Sequence, residues 1–355
     1  MTFPTATLCI SALQHNLQRA KQCAPNAKVI AVIKANAYGH GMLAVAEALH
    51  AADAYAVARL DEAVSLRHAG IDKPILLLEG VNTTAAWADC AAQHIEAVVH
   101  DTAQIEQLLA TPLTQPIHLW LKADTGMHRL GLPCDQIIPA FERLRALPYV
   151  ASIRLMSHLA CADQPNHPFI QQQQSQFDAI DLPLERSLAN SAALLSATRF
   201  QYDWVRPGIM LYGASPFAAH SGPEAGLQAV MTLQSELIAI QALKKGQAVG
   251  YSRTWTCPED MRVGVVGIGY GDGYPRHAPS GTPVLIHGQQ APLIGRVSMD
   301  MLSVDLRGLT HAHIGDPVTL WGQALSVDII ADYAGTISYE LLCAVTPRVP
   351  RIWVP

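Results

Sequence analysis

Between about residues 28 and 212 the chain alternates, eight times over, between a short apolar run and a stretch with helical spacing, and few folds accommodate that rhythm. The runs cover 29–33, 54–60, 74–78, 95–99, 117–121, 153–157, 186–189 and 204–211. Between them, segments such as 42–51, 61–69, 102–110 and 135–147 place apolar residues three and four apart, the period of a helix with one buried face. Eight such repeats predict a (β/α)8 TIM-type barrel. A doubly wound open sheet is the alternative, because the seventh run is faint. Small and breaking residues over 216–226 mark a linker. Beyond it, 230–243, 262–268, 283–287, 292–306, 318–321 and 349–354 are strand-like with few helical intervals. The expected organisation is α/β: a barrel over 1–226 and a mainly β domain over 227–355.

Half of the residues are apolar and 15% are charged, against roughly 25% charged in a typical soluble chain, so association is expected to cover part of the surface. Lys and Arg number 24 against 29 Asp and Glu, and no basic run or aromatic-interleaved basic stripe occurs, so nucleic acid is not an expected partner. Seven scattered cysteines with no C-x-x-C pair argue against a disulfide framework or a zinc knuckle and for a reducing, cytoplasmic compartment. No apolar stretch approaches the roughly 20 residues of a membrane span, and no basic residue precedes Arg19 as in a secretory leader. The histidines include His311-Ala-His313 but no H-E-x-x-H, so no metal is expected. In the glycine-rich stretch 267–273, Asp272 takes the third glycine position of a dinucleotide fingerprint, which breaks that motif.

The window Val29-Ile-Ala-Val-Ile-Lys-Ala-Asn-Ala-Tyr-Gly-His-Gly41 is an apolar strand ending on a lysine and a two-glycine turn. A lysine there would sit at the C-terminal mouth of the first barrel strand, where barrel enzymes place their catalytic groups. On spacing alone, Lys34 is equally readable as a lysine snorkelling out of a strand end. Arg206-Pro-Gly-Ile209 supplies a tight turn whose N–H groups at Gly208 and Ile209 could cradle a phosphate, and barrels bind phosphate after strands seven and eight, where Ser191 and Gly208 fall. Arg206 by itself also fits a rim ion pair, and His158 a strand-end histidine with its hydrogen bonds satisfied.

The lysine window resembles that of the alanine racemase family, whose pyridoxal-phosphate lysine lies in this motif. Eight further motifs resemble the same family in the same order: Lys122-Ala-Asp-Thr-Gly-Met-His-Arg-Leu-Gly131, Met156-Ser-His158, Leu188-Ala-Asn-Ser-Ala192, Trp204-Val-Arg-Pro-Gly-Ile-Met-Leu-Tyr-Gly213, Val249-Gly-Tyr-Ser252, Gly269-Tyr-Gly-Asp-Gly-Tyr-Pro-Arg276, Val297-Ser-Met-Asp300 and Ile337-Ser-Tyr-Glu340. The resemblance implies a racemase that interconverts L- and D-alanine through a pyridoxal 5'-phosphate aldimine. It makes Lys34 the residue holding the cofactor as a Schiff base, and Lys34 and Tyr251 the two bases.

The same resemblance implies Arg206 at the pyridine nitrogen, where a guanidinium, charged at all ordinary pH, cannot take up a proton. It implies Tyr38, Tyr339, Asn190, Ser191, Gly208 and Ile209 around the cofactor, His158 linking Tyr251 to Arg206, Arg129 near cofactor and substrate, and the Met299 N–H on the substrate carboxylate. Lys122 matches a position that can be carbamylated in relatives. A homodimer with shared sites, a role in D-alanine supply for a cell wall or else in alanine breakdown, and small-molecule rather than membrane partners complete the expectation. Two other functions use the same barrel. A pyridoxal-phosphate carrier has no need of residues 227–355, and basic amino-acid decarboxylases tend to place an acidic residue where Arg206 stands.

Overall fold

A computed structural model describes residues 4–196, 200–218 and 220–355. Ala219 of the expected linker lies outside the described residues. By compactness the chain divides into two units: Leu17–Ala37 with Met42–Leu211, and the N-terminal residues up to Asn16 with Tyr38–Gly41 and Tyr212–Pro355.

The first unit is the closed parallel barrel. Its strands are Lys28–Val32, Ala54–Val57, Ile75–Leu77, Ile95–Val99, Ile117–Asp124, Val150–Met156, Arg186–Asn190 and Trp204–Arg206. Neighbours pair in parallel around the ring, as in Ile30↔Ala54, Tyr55↔Ile75, Ile75↔Ile95 and Ala97↔Leu119, and Trp204↔Lys28 joins the last strand to the first. Ala54–Val57, Ile75–Leu77 and Ile95–Val99 are buried throughout, because helices cover one face and the barrel interior the other. That double burial is why each strand is a continuous apolar run rather than an alternating one. The open-sheet alternative is excluded by the closure.

Several helix starts are chemically marked. Asp101 accepts the Ala103 N–H at the start of Thr102–Ala110, Thr83 accepts the Ala86 N–H before Thr84–Ala92, and Pro168 opens Pro168–Asp178, where its missing N–H costs nothing.

Two strand ends differ from expectation. The run 54–60 stops at Val57, because Leu60 already belongs to the helix Leu60–His68. The run 204–211 stops at Arg206: Pro207 has no N–H to give the ladder, and Ile209–Tyr212 winds into a 3-10 turn.

At the N-terminal end of the barrel, Arg154 bridges Glu96 and Glu185 at 2.9 and 2.7 Å and lies 5.4 Å from the ring centroids of both Trp120 and Trp204. The indole N–H groups of these tryptophans donate to Glu96 and Glu185. The floor of the barrel is thus a hydrogen-bonded ion network in which each carboxylate has its partners, as burial requires.

The second unit is mainly β. The 13-residue strand Met231–Leu243 pairs through its first half with Thr5–Cys9 and Pro317–Trp321 and through its second half with Met261–Val266. Leu302–Asp305, Gln289–Ile294 and Pro283–Ile286 continue the sheet back to Pro317–Trp321. The expected run 292–306 is therefore two strands. A boundary at 226/227 leaves out one element: Thr5–Cys9 lies between Met231–Leu243 and Arg351–Val354, so the first strand of the chain belongs to the β unit. Two helices, Val327–Ala334 and Ser338–Ala344, complete it, the first ending at Gly335 with φ 67°, a left-handed cap that glycine adopts without a Cβ penalty.

Candidate active site

Lys34, Lys122, His158, Asn190, Ser191 and Arg206 all fall at the C-terminal ends of five adjacent strands: Lys28–Val32, Trp204–Arg206, Arg186–Asn190, Val150–Met156 and Ile117–Asp124. Parallel strands with short loops bring these sequence-distant residues to one mouth of the barrel.

Arg206 is 4% exposed. Its guanidinium donates to the Ser187 hydroxyl, to the Ser157 carbonyl at 2.6 Å and to the Leu188 carbonyl at 3.5 Å, and lies 3.4 Å from His158 Nδ1. Burial lowers its pKa to about 10, which still leaves it charged at neutral pH. His158 is held well below the usual imidazole range, first by burial and then by Arg206, Lys122, Arg129 and Lys34, so it is neutral and accepts from Arg206. Lys122 is 8% exposed, and burial together with Arg206, Arg129 and Lys34 lowers its pKa to about 8, against an opposing contribution from Asp124. Positive charge is therefore concentrated at this mouth, where Arg206, Arg129 and Lys34 act on both Lys122 and His158.

Ser191 is 4% exposed, and its Oγ accepts the backbone N–H groups of Gly208 at 2.8 Å and Met210 at 3.3 Å. Its oxygen thus sits at a focus of N–H groups from the turn after the last strand. Sequence reasoning gave that cradle to Gly208 and Ile209; in the structure the Gly208 N–H is engaged by Ser191, and the converging donors are those of Gly208 and Met210. Asn190 accepts the Ala193 N–H and so caps the helix Ser191–Ser196. Arg129 is exposed, on a loop where Asp124 accepts the N–H groups of Gly126 and His128.

Lys34 opens an unusual segment. Ala35, Asn36 and Ala37 have φ/ψ of 52/50°, 52/46° and 53/52°, and Tyr38 has φ 52°, a full left-handed helical turn with no glycine in it. At about 1–2 kcal/mol per residue for the Cβ clash, Ala35 and Ala37 together cost about 2–4 kcal/mol, asparagine being more at ease in this region. The Ala37 N–H donates to the Ile33 carbonyl at 2.9 Å, and Asn36 Oδ1 accepts the Met42 N–H at 2.8 Å.

Sequence reasoning passed over Gln173, which is fully buried on the helix Pro168–Asp178. Its amide donates to the His158 carbonyl at 3.1 Å and to Thr125 Oγ1 at 3.3 Å, and accepts the Ala160 N–H at 2.9 Å. Thr125 in turn bonds Ser157 at 2.9 Å, the residue whose carbonyl receives Arg206. The available signal was its register: Ile170, Gln173 and Phe177 share the buried face.

Within the second unit, Tyr38 stacks on Tyr212 with centroids 4.7 Å apart and lies 5.9 Å from Tyr339, and burial raises its phenol well above the ordinary range. Tyr251 is 67% exposed and Met299 53% exposed. Tyr251 stands between Gly250, at φ 71°, and Ser252 and Arg253, at φ 58° and 50°.

A family model for the N-terminal domain of alanine racemases matches residues 8–216, and one for the C-terminal domain matches residues 230–353. The chain belongs to the alanine racemase family. An alanine racemase of Nitrosococcus oceani is 53% identical over 353 residues, 99% of both chains, and one of Shewanella loihica is 48% identical over 350 residues, 98% of both. Among solved structures, the biosynthetic alanine racemase of Pseudomonas aeruginosa matches with a TM-score of 0.97 at 47% identity, and that of Acinetobacter baumannii with 0.93 at 39%, each covering 100% of both chains. Alanine racemases depend on pyridoxal 5'-phosphate, an anionic aldehyde. The donor set at the barrel mouth fits such a group: a primary amine at Lys34, surplus positive charge around it, and a Ser191 hydroxyl whose oxygen is held by the N–H groups of Gly208 and Met210, which leaves its proton to donate.

Proposed function

We propose that this chain interconverts L- and D-alanine with pyridoxal phosphate held at the barrel mouth. The observation that carries the reading is the buried cation Arg206 beside a neutral His158, at the mouth that also presents Lys34. Pyridoxal phosphate, when bound, drains electrons from the substrate Cα and so lets its proton leave. Lys34 would hold the group through its amine, Arg206 would meet the ring nitrogen, and the Ser191 hydroxyl with the Ile209 N–H would meet the phosphate, Gly208 acting by donating its N–H to that hydroxyl oxygen. Tyr38 and Tyr339 would add hydroxyls to the phosphate, and Asn190 and Arg129 would flank the group.

Because Arg206 donates and cannot accept, it favours returning a proton to the substrate carbon over transamination. Lys34 Nζ and the Tyr251 hydroxyl would each move a proton at one face of that carbon, since a racemase must remove it from one side and return it on the other. The Met299 N–H would bind the substrate carboxylate. Match to both family domains supports this reading over a carrier built on the barrel alone, and the guanidinium at 206 supports it over a decarboxylase.

Tyr251, Met299, Met301 and Ile337 are large apolar residues exposed on the β unit, which supports a homodimer in which one chain completes its partner's site. None of the seven cysteines is joined in a disulfide, which supports a reducing cytoplasm, and among the described residues no helix is long and apolar enough to cross a membrane. D-alanine supply to a cell wall is the role proposed. Borohydride reduction of the enzyme followed by peptide mapping tests the core of the reading: the label is expected on Lys34, and label on another lysine refutes it.

A further inference from the structure

Glu62 stands at the start of the helix Leu60–His68, the element that follows the second barrel strand. Its Oε1 accepts the N–H of Ala35 at 2.7 Å, and its Oε2 accepts the N–H groups of Ala58 at 2.9 Å and Arg59 at 3.1 Å. One half-buried carboxylate therefore clamps the loop leaving Lys28–Val32 to the loop leaving Ala54–Val57, and its grip on the first loop is at the residue directly after Lys34. That residue is also the first of the left-handed turn, a conformation the alanines there do not choose for themselves. A backbone held against its own preference needs an external partner.

We propose that Glu62 is a positioning residue for Lys34: its carboxylate holds the left-handed turn that fixes where the amine is presented. The inference rests on the reading that Lys34 is the cofactor-bearing amine. Charge and shape are both required. A carboxylate has two acceptor oxygens and no donor, so it can receive all three N–H groups at once. An isosteric amide offers one oxygen, and its NH2 must face a backbone N–H on one side or the other. Glu62→Gln therefore loses hydrogen bonds without losing volume.

The test compares wild type, Glu62→Gln, Ala35→Gly and the double variant as full-length chains, with exchange measured on the holoenzymes and capture on the same proteins after their cofactor has been removed. Amide hydrogen exchange is followed in the peptide spanning residues 34–38, and the rate of capture of added pyridoxal phosphate is followed by borohydride trapping. Loss of charge-assisted hydrogen bonds from Glu62 is expected to speed exchange in that peptide and slow capture by about tenfold to a hundredfold. Glycine has no Cβ penalty in the left-handed region, so adding Ala35→Gly to Glu62→Gln is expected to restore capture by roughly five- to thirtyfold. A purely structural Glu62 would not be rescued by a glycine at an exposed turn.

If Glu62→Gln does not fold, folding of the double variant is the same rescue and supports the proposal. Wild-type exchange and capture in Glu62→Gln, a defect that Ala35→Gly leaves unchanged, or failure of both chains to fold overturns it. Absence of label at Lys34 in the wild type would instead refute the cofactor assignment, while the exchange comparison would still decide whether Glu62 holds the turn.

Discussion

Replacing Gln173 by methionine keeps the volume of the side chain and removes every hydrogen bond it makes. Three end on it: the His158 carbonyl, Thr125 Oγ1 and the Ala160 N–H. A net intramolecular hydrogen bond is worth about 1 kcal/mol, and a buried group left unpaired costs about 1–3 kcal/mol. Methionine recovers part of this through its apolar burial, which leaves an expected loss of about 2–4 kcal/mol. At about 2–4 °C per kcal/mol for a unit of this size, the barrel should melt about 4–16 °C lower. Thermal unfolding followed by fluorescence is suitable, since Trp120 and Trp204 lie in the barrel. Thr125→Val supplies the second arm of a double-mutant cycle. Because Gln173 and Thr125 bond each other, the double variant should cost less than the two singles together, by about 0.5–3 kcal/mol. A Gln173→Met protein within about 0.5 kcal/mol of wild type, or strict additivity with Thr125→Val, would refute the claim that this amide organises the loop receiving Arg206.

Tyr251→Phe should slow deuterium exchange at Cα of L-alanine by about 10²–10⁴-fold while exchange from D-alanine through Lys34 persists; equal near-wild-type rates for both enantiomers would remove Tyr251 as a base. A mixture of Lys34→Ala and Tyr251→Phe chains should regain activity through hybrids with one intact site, and none after confirmed subunit exchange would count against shared sites. His158 resists protonation when folded but takes a proton near pH 6.5 when unfolded, so it favours the native state above that pH and withdraws that contribution as pH falls below it. His158→Gln should therefore flatten the dependence of unfolding free energy on pH between 5 and 6.5, by up to about 1.4 kcal/mol per pH unit; an unchanged slope contradicts the assignment.

The barrel was legible because parallel strands buried on both faces leave apolar runs, clear at Ala54–Val57 and Ile75–Leu77 and faint at Arg186–Asn190, and the alternation with helical stretches located the rest. What escaped was whatever depends on a distant partner. Thr5–Cys9 is short, and nothing local announces that it pairs with residues more than 200 positions away. The helices Val327–Ala334 and Ser338–Ala344 span only two turns each, too short for periodicity to separate them from strand, although Ser326 and Gly335 mark the ends of the first. Gln173 and Glu62 escaped for a related reason. A polar residue on a helix is ordinarily solvated, and only the packing of another segment over it turns it into a buried clamp.

The local rules fail in a pattern. Nine described residues other than glycine have positive φ, and seven of them adjoin Lys34, Arg129 or Tyr251: Ala35, Asn36, Ala37 and Tyr38 follow the lysine, His128 precedes Arg129, and Ser252 and Arg253 follow the tyrosine. Sequence propensity predicts none of these conformations, since each places a Cβ where the backbone disfavours it. Motif resemblance picked out Lys34, Arg129 and Tyr251 among its twelve site residues without any knowledge of backbone angles, and the strained angles are a property of the fold with no reference to motifs. A backbone held in a costly conformation persists only when surrounding contacts over-determine it, and such contacts are maintained where a side chain must be aimed. The coincidence is therefore what is expected if Lys34, Arg129 and Tyr251 are presented by rigid, strained turns rather than by relaxed loops. It is also why glycine placed at Ala35 is informative: it removes the Cβ penalty at that position while leaving Lys34 untouched.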